Sequence, residues 1–192
     1  MGTALIALSL AAVGASATTA SAATATGRPS AATSCAVGWG SADKVGEVAD
    51  YARPLVNVRA GRHDCYDRLV LDVRGTGDRP IGFRVGYVDE LHQDGSGDLV
   101  PVGGGAILSV RIAAPSYDPD TFKPVYNGKV GERLPGVDVT GYRTFRDTRF
   151  GGSFEGDSLI GLGVRARLPF RVTQTPTQVI VDVAHSWTAA AR

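Results

Sequence analysis

The stretch Tyr142-Arg143-Thr144-Phe145-Arg146-Asp147-Thr148-Arg149-Phe150 is the richest candidate for ligand recognition in this chain. Strand alternation would place Arg143, Phe145, Asp147 and Arg149 on one face. It would place Tyr142, Thr144, Arg146, Thr148 and Phe150 on the other. Aromatic faces stack on sugar rings and guanidinium groups fork onto carboxylates, so either face suits an anionic glycan or peptide. The competing account packs one face into a core and leaves cross-strand ion pairs on the other, individually weak at an exposed strand. Tyr142, Arg143, Phe145 and Arg146 are the candidate contacts.

Catalytic and metal chemistry find poorer material. Gly151-Gly152-Ser153-Phe154-Glu155-Gly156 lacks the G-x-S-x-G order of a nucleophile elbow and the strand-turn-helix setting that holds one. Asp89 with Glu90, and Glu155 with Asp157, are carboxylates of the type glycoside hydrolysis uses, although acids in turns are ordinary solvated groups. His63 near Cys65 would suit a thiol hydrolase, which oxidation of the cysteine would silence. His63, His92 and His185 lack the i, i+2 or i, i+4 spacing that preassembles a zinc site. Asp94-Gly95-Ser96-Gly97-Asp98 begins like a calcium loop, but Leu99 and Gly105 stand where glycine and glutamate are needed. No metal, cofactor or catalytic residue is expected, and the chain reads as a non-enzyme.

Groups of this kind need a scaffold, and composition bounds it. With 192 residues, 43% of them hydrophobic, the chain can build one domain with a substantial core. A net charge of +1 gives no long-range field to gather nucleic acid or anionic membrane. Lysine occurs only at 44, 123 and 129, and this arginine bias most simply reflects a GC-rich genome. Ala4-Leu5-Ile6-Ala7-Leu8-Ser9-Leu10-Ala11-Ala12-Val13 is an apolar run too short to span a bilayer, and Ala20-Ser21-Ala22 has the small-residue pattern of a signal-peptidase site. Residues 1–22 therefore read as a secretory signal, although no charge precedes Arg28. Residues 23–34 read as a disordered linker and 35–188 as the folded domain. The two cysteines of an exported chain predict one disulfide, Cys35 to Cys65, stabilising by roughly 3–4 kcal/mol in the chain-entropy model.

Period-two alternation recurs along the domain. Leu55-Val56-Asn57-Val58-Arg59 predicts a short strand stopped by Gly61. Leu69, Leu71 and Val73 share a face, as do Phe83, Val85 and Tyr87, and then Ala106, Leu108, Val110 and Ile112. Further strands are expected at Leu159-Ile160-Gly161-Leu162-Gly163-Val164-Arg165-Ala166, Pro169-Phe170-Arg171-Val172 and Val179-Ile180-Val181-Asp182-Val183. Arg68-Leu69-Val70-Leu71-Asp72-Val73 echoes Gln178-Val179-Ile180-Val181-Asp182-Val183, which suggests neighbouring strands. Asp67, Arg68, Asp72 and Asp182 read as structural, receiving turn amides or pairing charges. Residues 114–136 form a long excursion, functional or disordered. No amphipathic helix of twelve residues is visible. Short strands with turns every ten or so residues predict an all-β, single-domain antiparallel barrel or sandwich with one long irregular loop.

Gly61-Arg62-His63-Asp64-Cys65-Tyr66-Asp67-Arg68-Leu69-Val70-Leu71-Asp72, Phe83-Arg84-Val85-Gly86-Tyr87-Val88, Gly161-Leu162-Gly163-Val164-Arg165, Pro169-Phe170-Arg171-Val172 and Val179-Ile180-Val181-Asp182-Val183 together resemble the AMIN-like β-barrel domain of secreted actinobacterial proteins. The resemblance covers about residues 35–187. It implies a non-catalytic, cell-wall-associated module whose partner is peptidoglycan, another wall glycan or an envelope protein. It carries over no catalytic or binding residues. Two other readings stand beside it: a small secreted hydrolase using Asp89 or Glu155, and a carrier holding an apolar ligand inside a barrel.

Overall fold

The structure, a computed structural model, describes residues 2, 35, 37–46, 53–75 and 80–187. Apart from Gly2, the expected secretory segment 1–22 and linker 23–34 lie outside those residues. The architecture below belongs to the unit Thr33–Arg192. Its described residues form nine strands and no helix: β1 (Lys44–Gly46), β2 (Leu55–Arg62), β3 (Tyr66–Val73), β4 (Phe83–Val88), β5 (Ala106–Ile112), β6 (Phe145–Phe154), β7 (Asp157–Val164), β8 (Phe170–Thr175) and β9 (Gln178–Ala184).

Two antiparallel sheets result, one ordered β1-β4-β5-β7-β6 and the other β2-β3-β9-β8. Neither closes on itself, so the barrel half of the expectation is corrected to a sandwich. The echo between Arg68–Val73 and Gln178–Val183 marks true neighbours, because β3 pairs with β9 in the register Arg68↔Asp182 and Leu69↔Val181. Gly61 does not stop β2: the strand continues through Arg62, pairing Gly61 with Arg68 and Arg62 with Asp67.

Alternation decides what lies between the sheets. Leu69, Leu71, Val179, Val181 and Val183 from one sheet meet Val85, Leu108, Val110, Ile160 and Leu162 from the other in one core cluster. Phe145 and Phe170, 1% and 0% exposed, are the largest of its fully buried side chains. The excursion at 114–136 is ordered by backbone bonds such as Gly131 N→Phe150 O at 2.9 Å and Phe150 N→Glu132 O at 3.0 Å. It contributes Tyr126 and Leu134 to the core.

The β4–β5 connection folds back over the outer face of the five-stranded sheet. Leu91 and Val100 there cluster with Leu159, and Val102 and Ile107 pack against them. Glycines on β7 make this approach possible. A Cβ on Gly161 would stand 2.6 Å from both Leu91 Cδ2 and Val102 Cγ2, and one on Gly163 would stand 1.8 Å from the Gly103 carbonyl oxygen.

Candidate functional site

At one end of the sandwich, three chain segments are tied to a single buried carboxylate. Asp67 is 0% exposed at the start of β3. Its Oδ2 accepts the backbone N–H groups of Thr144 at 2.6 Å and Phe145 at 3.1 Å, where β6 begins. Its Oδ1 lies 3.1 Å from Nε2 of His185, just past β9. The other ring nitrogen of His185 faces the Asp64 carbonyl at 3.2 Å, and the His185 backbone N–H donates to Cys65 O at 2.9 Å. Buried charge is tolerated when its acceptor sites are filled in this way. The Cys35–Cys65 disulfide fastens the same hairpin to the N-terminal segment.

This anchor presents the segment at 142–146. Tyr142 is half-buried, with its ring stacked on Phe145 at 5.7 Å and an interplanar angle of 7°. The guanidinium of Arg62 sits 5.8 Å from the Tyr142 ring centroid. Burial, and then the Asp67 charge, push the Tyr142 hydroxyl above its ordinary range. Arg143 is exposed and donates to the Asp64 carbonyl at 3.3 Å. Arg146 folds back and donates to the carbonyl oxygens of Tyr142, Phe145 and Arg143 at 2.9, 2.8 and 3.1 Å, clipping the turn shut.

Arg165 and Arg167 join this end from the β7–β8 connection. Arg165 reaches the His185 carbonyl through Nη2, and its N–H donates to Thr144 O at 2.9 Å. Trp187 Nε1 donates to the Arg167 carbonyl at 2.9 Å. Arg62, Arg143, Arg146, Arg165 and Arg167 are all exposed, and among the described residues none is ion-paired with a carboxylate. By contrast, Arg59, Arg68, Arg74, Arg111, Arg133, Arg149 and Arg171 each have an acidic partner. Guanidinium groups without carboxylate partners leave charged donor forks for an anionic ligand.

Beside this end, the outer face of the four-stranded sheet carries a second cluster. Asp182, 0% exposed, accepts from Arg68 Nε at 2.6 Å and from Arg171 Nε at 2.8 Å. Arg171 lies 4.4 Å from the Trp39 ring centroid and 5.5 Å from that of Tyr66. His63 stacks on Tyr66 at 4.5 Å. Sequence reasoning treats Arg68 and Asp182 as structural, and their geometry agrees, but it does not bring Trp39 and Arg171 to them. Period two signals which β3 and β9 residues face out. It does not show that a segment thirty residues upstream lies across them.

Of the expected contacts, Tyr142, Arg143 and Arg146 share one surface, whereas Phe145 is corrected to a core residue. The reason is a register shift between Phe145 and Asp147, which breaks strict alternation and leaves Phe145, Asp147 and Thr148 all buried. Tyr142 to Thr144 precede the strand altogether. Asp147 instead accepts Gly103 N at 2.9 Å and Arg149 Nε at 2.8 Å, pinning the connection that covers the five-stranded sheet. The carboxylates considered for hydrolysis lie in turns or at strand ends. Asp89 is exposed past β4, Glu90 contacts His92 at 3.2 Å, and Glu155 occupies the β6–β7 turn. Asp157 lies 3.7 Å from Arg111; burial pushes its carboxyl up, opposed by Arg111 and reinforced by Asp94. The three histidines stand in separate surroundings, on Tyr66, Glu90 and Asp67 respectively.

A family model described as the AMIN-like domain matches residues 53–185. No curated protein and no solved structure matches the chain.

Proposed function

This chain belongs to the AMIN-like domain family, and we propose that it is a non-catalytic, secreted cell-envelope module that binds anionic wall glycan. The observation that carries this reading is the arginine-rich end. Arg62, Arg143, Arg146, Arg165 and Arg167 have no carboxylate partners among the described residues, and Arg62 lies against the Tyr142 ring. Guanidinium groups supply forked contacts to carboxylate or phosphate, and a packed ring supplies a stacking surface at low entropic cost. The Cys35–Cys65 disulfide supports an oxidising compartment. The exposure of Asp89 and Glu155, the two acids invoked, weighs against the hydrolase reading, because the general acid needs a desolvated site beside an ionised partner. The filled space between the sheets weighs against an enclosed apolar ligand.

The test is co-sedimentation of the oxidised protein with insoluble peptidoglycan across a salt series, before and after acidic polymers are stripped from the wall. Saturable binding is expected, weakened by stripping and by salt, since the Debye length is about 8 Å at physiological ionic strength. Tyr142→Ala with Arg143→Ala should weaken binding at least about tenfold, roughly 1.4 kcal/mol, without unfolding the protein. Normal wall binding by that double variant overturns the site.

A further inference from the structure

We infer that a cleft bordering the arginine surface binds a short peptide through both of its free termini. The cleft has a volume of about 500 Å³ and is lined by Tyr87, Asp89, Val102, Ala106, Ile107 and Arg167, with neighbouring backbone. That volume falls in the range of small-ligand sites, about 300–1,000 Å³. One side of the cleft is rigid. The Tyr87 hydroxyl donates to Leu168 O at 2.8 Å and accepts from Leu168 N at 2.9 Å, and its ring meets Phe170 edge-on at 5.6 Å. The Arg167 guanidinium rests over that ring at 5.1 Å, while Trp187 holds the Arg167 carbonyl.

The chemistry of the lining selects the ligand. Arg167 has no carboxylate partner, and Asp89 has no cationic partner, among the described residues. The two line one cleft without forming an ion pair with each other. A bound carboxylate would take the fork of Arg167, and a bound ammonium would take Asp89. Val102, Ala106 and Ile107 add apolar lining that suits small side chains. Asp89 repels a polyanion, so this cleft differs in kind from the rest of the arginine surface, with which it shares Arg167. A zwitterionic peptide of two or three small residues satisfies all of these groups together. Arg167 belongs to both the arginine surface and this cleft, whereas Asp89 lines the cleft alone, so the Asp89 variant tests this inference apart from the wall-glycan reading.

The probe is tri-L-alanine, titrated into the full, oxidised, ¹⁵N-labelled chain while the amides of Ala106 and Ile107 and the Nε of Arg167 are followed. The expected result is saturable shifts at millimolar ligand, at least about tenfold weaker when either terminus is blocked by acetylation or amidation. Arg167→Gln and Asp89→Asn should each cause a loss of about the same size with an unchanged melting temperature. Wall sedimentation by Asp89→Asn should be retained, which separates the cleft from the arginine surface. Equal shifts from the doubly blocked peptide or from inorganic phosphate alone, absence of saturable shifts, or indifference to Asp89→Asn overturns the assignment.

Discussion

Asp67 shows how one residue can set the geometry of a binding end without touching a ligand. Its carboxylate collects two backbone amides from the start of β6 and one histidine from the end of β9, across 77, 78 and 118 residues of sequence. Removing it strands those donors in a buried site, where each unsatisfied group costs about 1–3 kcal/mol. Asp67→Ala should therefore lower stability by roughly 3–5 kcal/mol, the range for breaking a buried charged network. Asp67→Asn keeps an acceptor oxygen for the Thr144 and Phe145 amides but turns an amide donor or a neutral oxygen toward His185. It should cost clearly less. Urea denaturation of the two variants checks the order, and equal losses would show that the charge, not the amide contacts, holds the turn. The sequence marks this residue as structural, either a turn-amide acceptor or a charge partner. Its partners were not legible, since no local pattern points from position 67 to 144 or 185.

At the level of elements, the strands whose faces alternate cleanly are the ones that could be read in advance. Phe83, Val85 and Tyr87 on β4, and Leu108, Val110 and Ile112 on β5, point inward as period two requires. Legibility fails where an element departs from the period. β6 carries register shifts between Phe145 and Asp147 and again between Phe150 and Gly152, so its buried set is not an alternating one. β1 is three residues long and has too few positions to show a period. The Gly161-Leu162-Gly163 run reads as a strand, but the reason for its glycines emerges only from what crosses them. Gly163→Ala would place a methyl group 1.8 Å from the Gly103 carbonyl, and backbone there cannot yield as a flexible side chain would. The covering connection must then lift from the sheet, exposing Leu91 and Val100. A loss of about 2–4 kcal/mol is expected, at the upper end of overpacking costs because the clash meets backbone. Hydrogen exchange should accelerate first at the amides of Val100 and Gly103, whose bonds run to Leu91 O and Asp147. Unchanged exchange there would mean that the connection is not held by that close approach.

At the scale of the whole molecule, five arginines separated by up to 105 residues in sequence, from 62 to 167, meet at one end because antiparallel sandwich topology returns alternate connections to the same side. Composition suggests a near-neutral chain with genome-driven arginine usage, and it gives no sign that arginines without carboxylate partners gather here. The N-terminal segment binds the whole together in a similar non-local way. It starts at the disulfide on the β2–β3 hairpin, lays Trp39 against Arg171, accepts Phe170 N at the Gly40 carbonyl at 3.0 Å, and ends as β1 on the other sheet. Within β1 three residues pair and Val45 is exposed. The disulfide is the covalent part of the segment's attachment. Reduction should lower global stability by roughly 3–4 kcal/mol. It should also make the segment open before the sheets, since regions with little buried surface unfold locally at low free energy. In urea, the reduced protein should show the Trp39 fluorescence change at lower denaturant than the far-ultraviolet signal of the sheets, read in a Trp187→Phe background to isolate that ring. The oxidised protein should show the two together. Coincident transitions after reduction would mean that sheet pairing and the Trp39–Arg171 contact hold the segment by themselves, leaving the disulfide to act only on the unfolded chain.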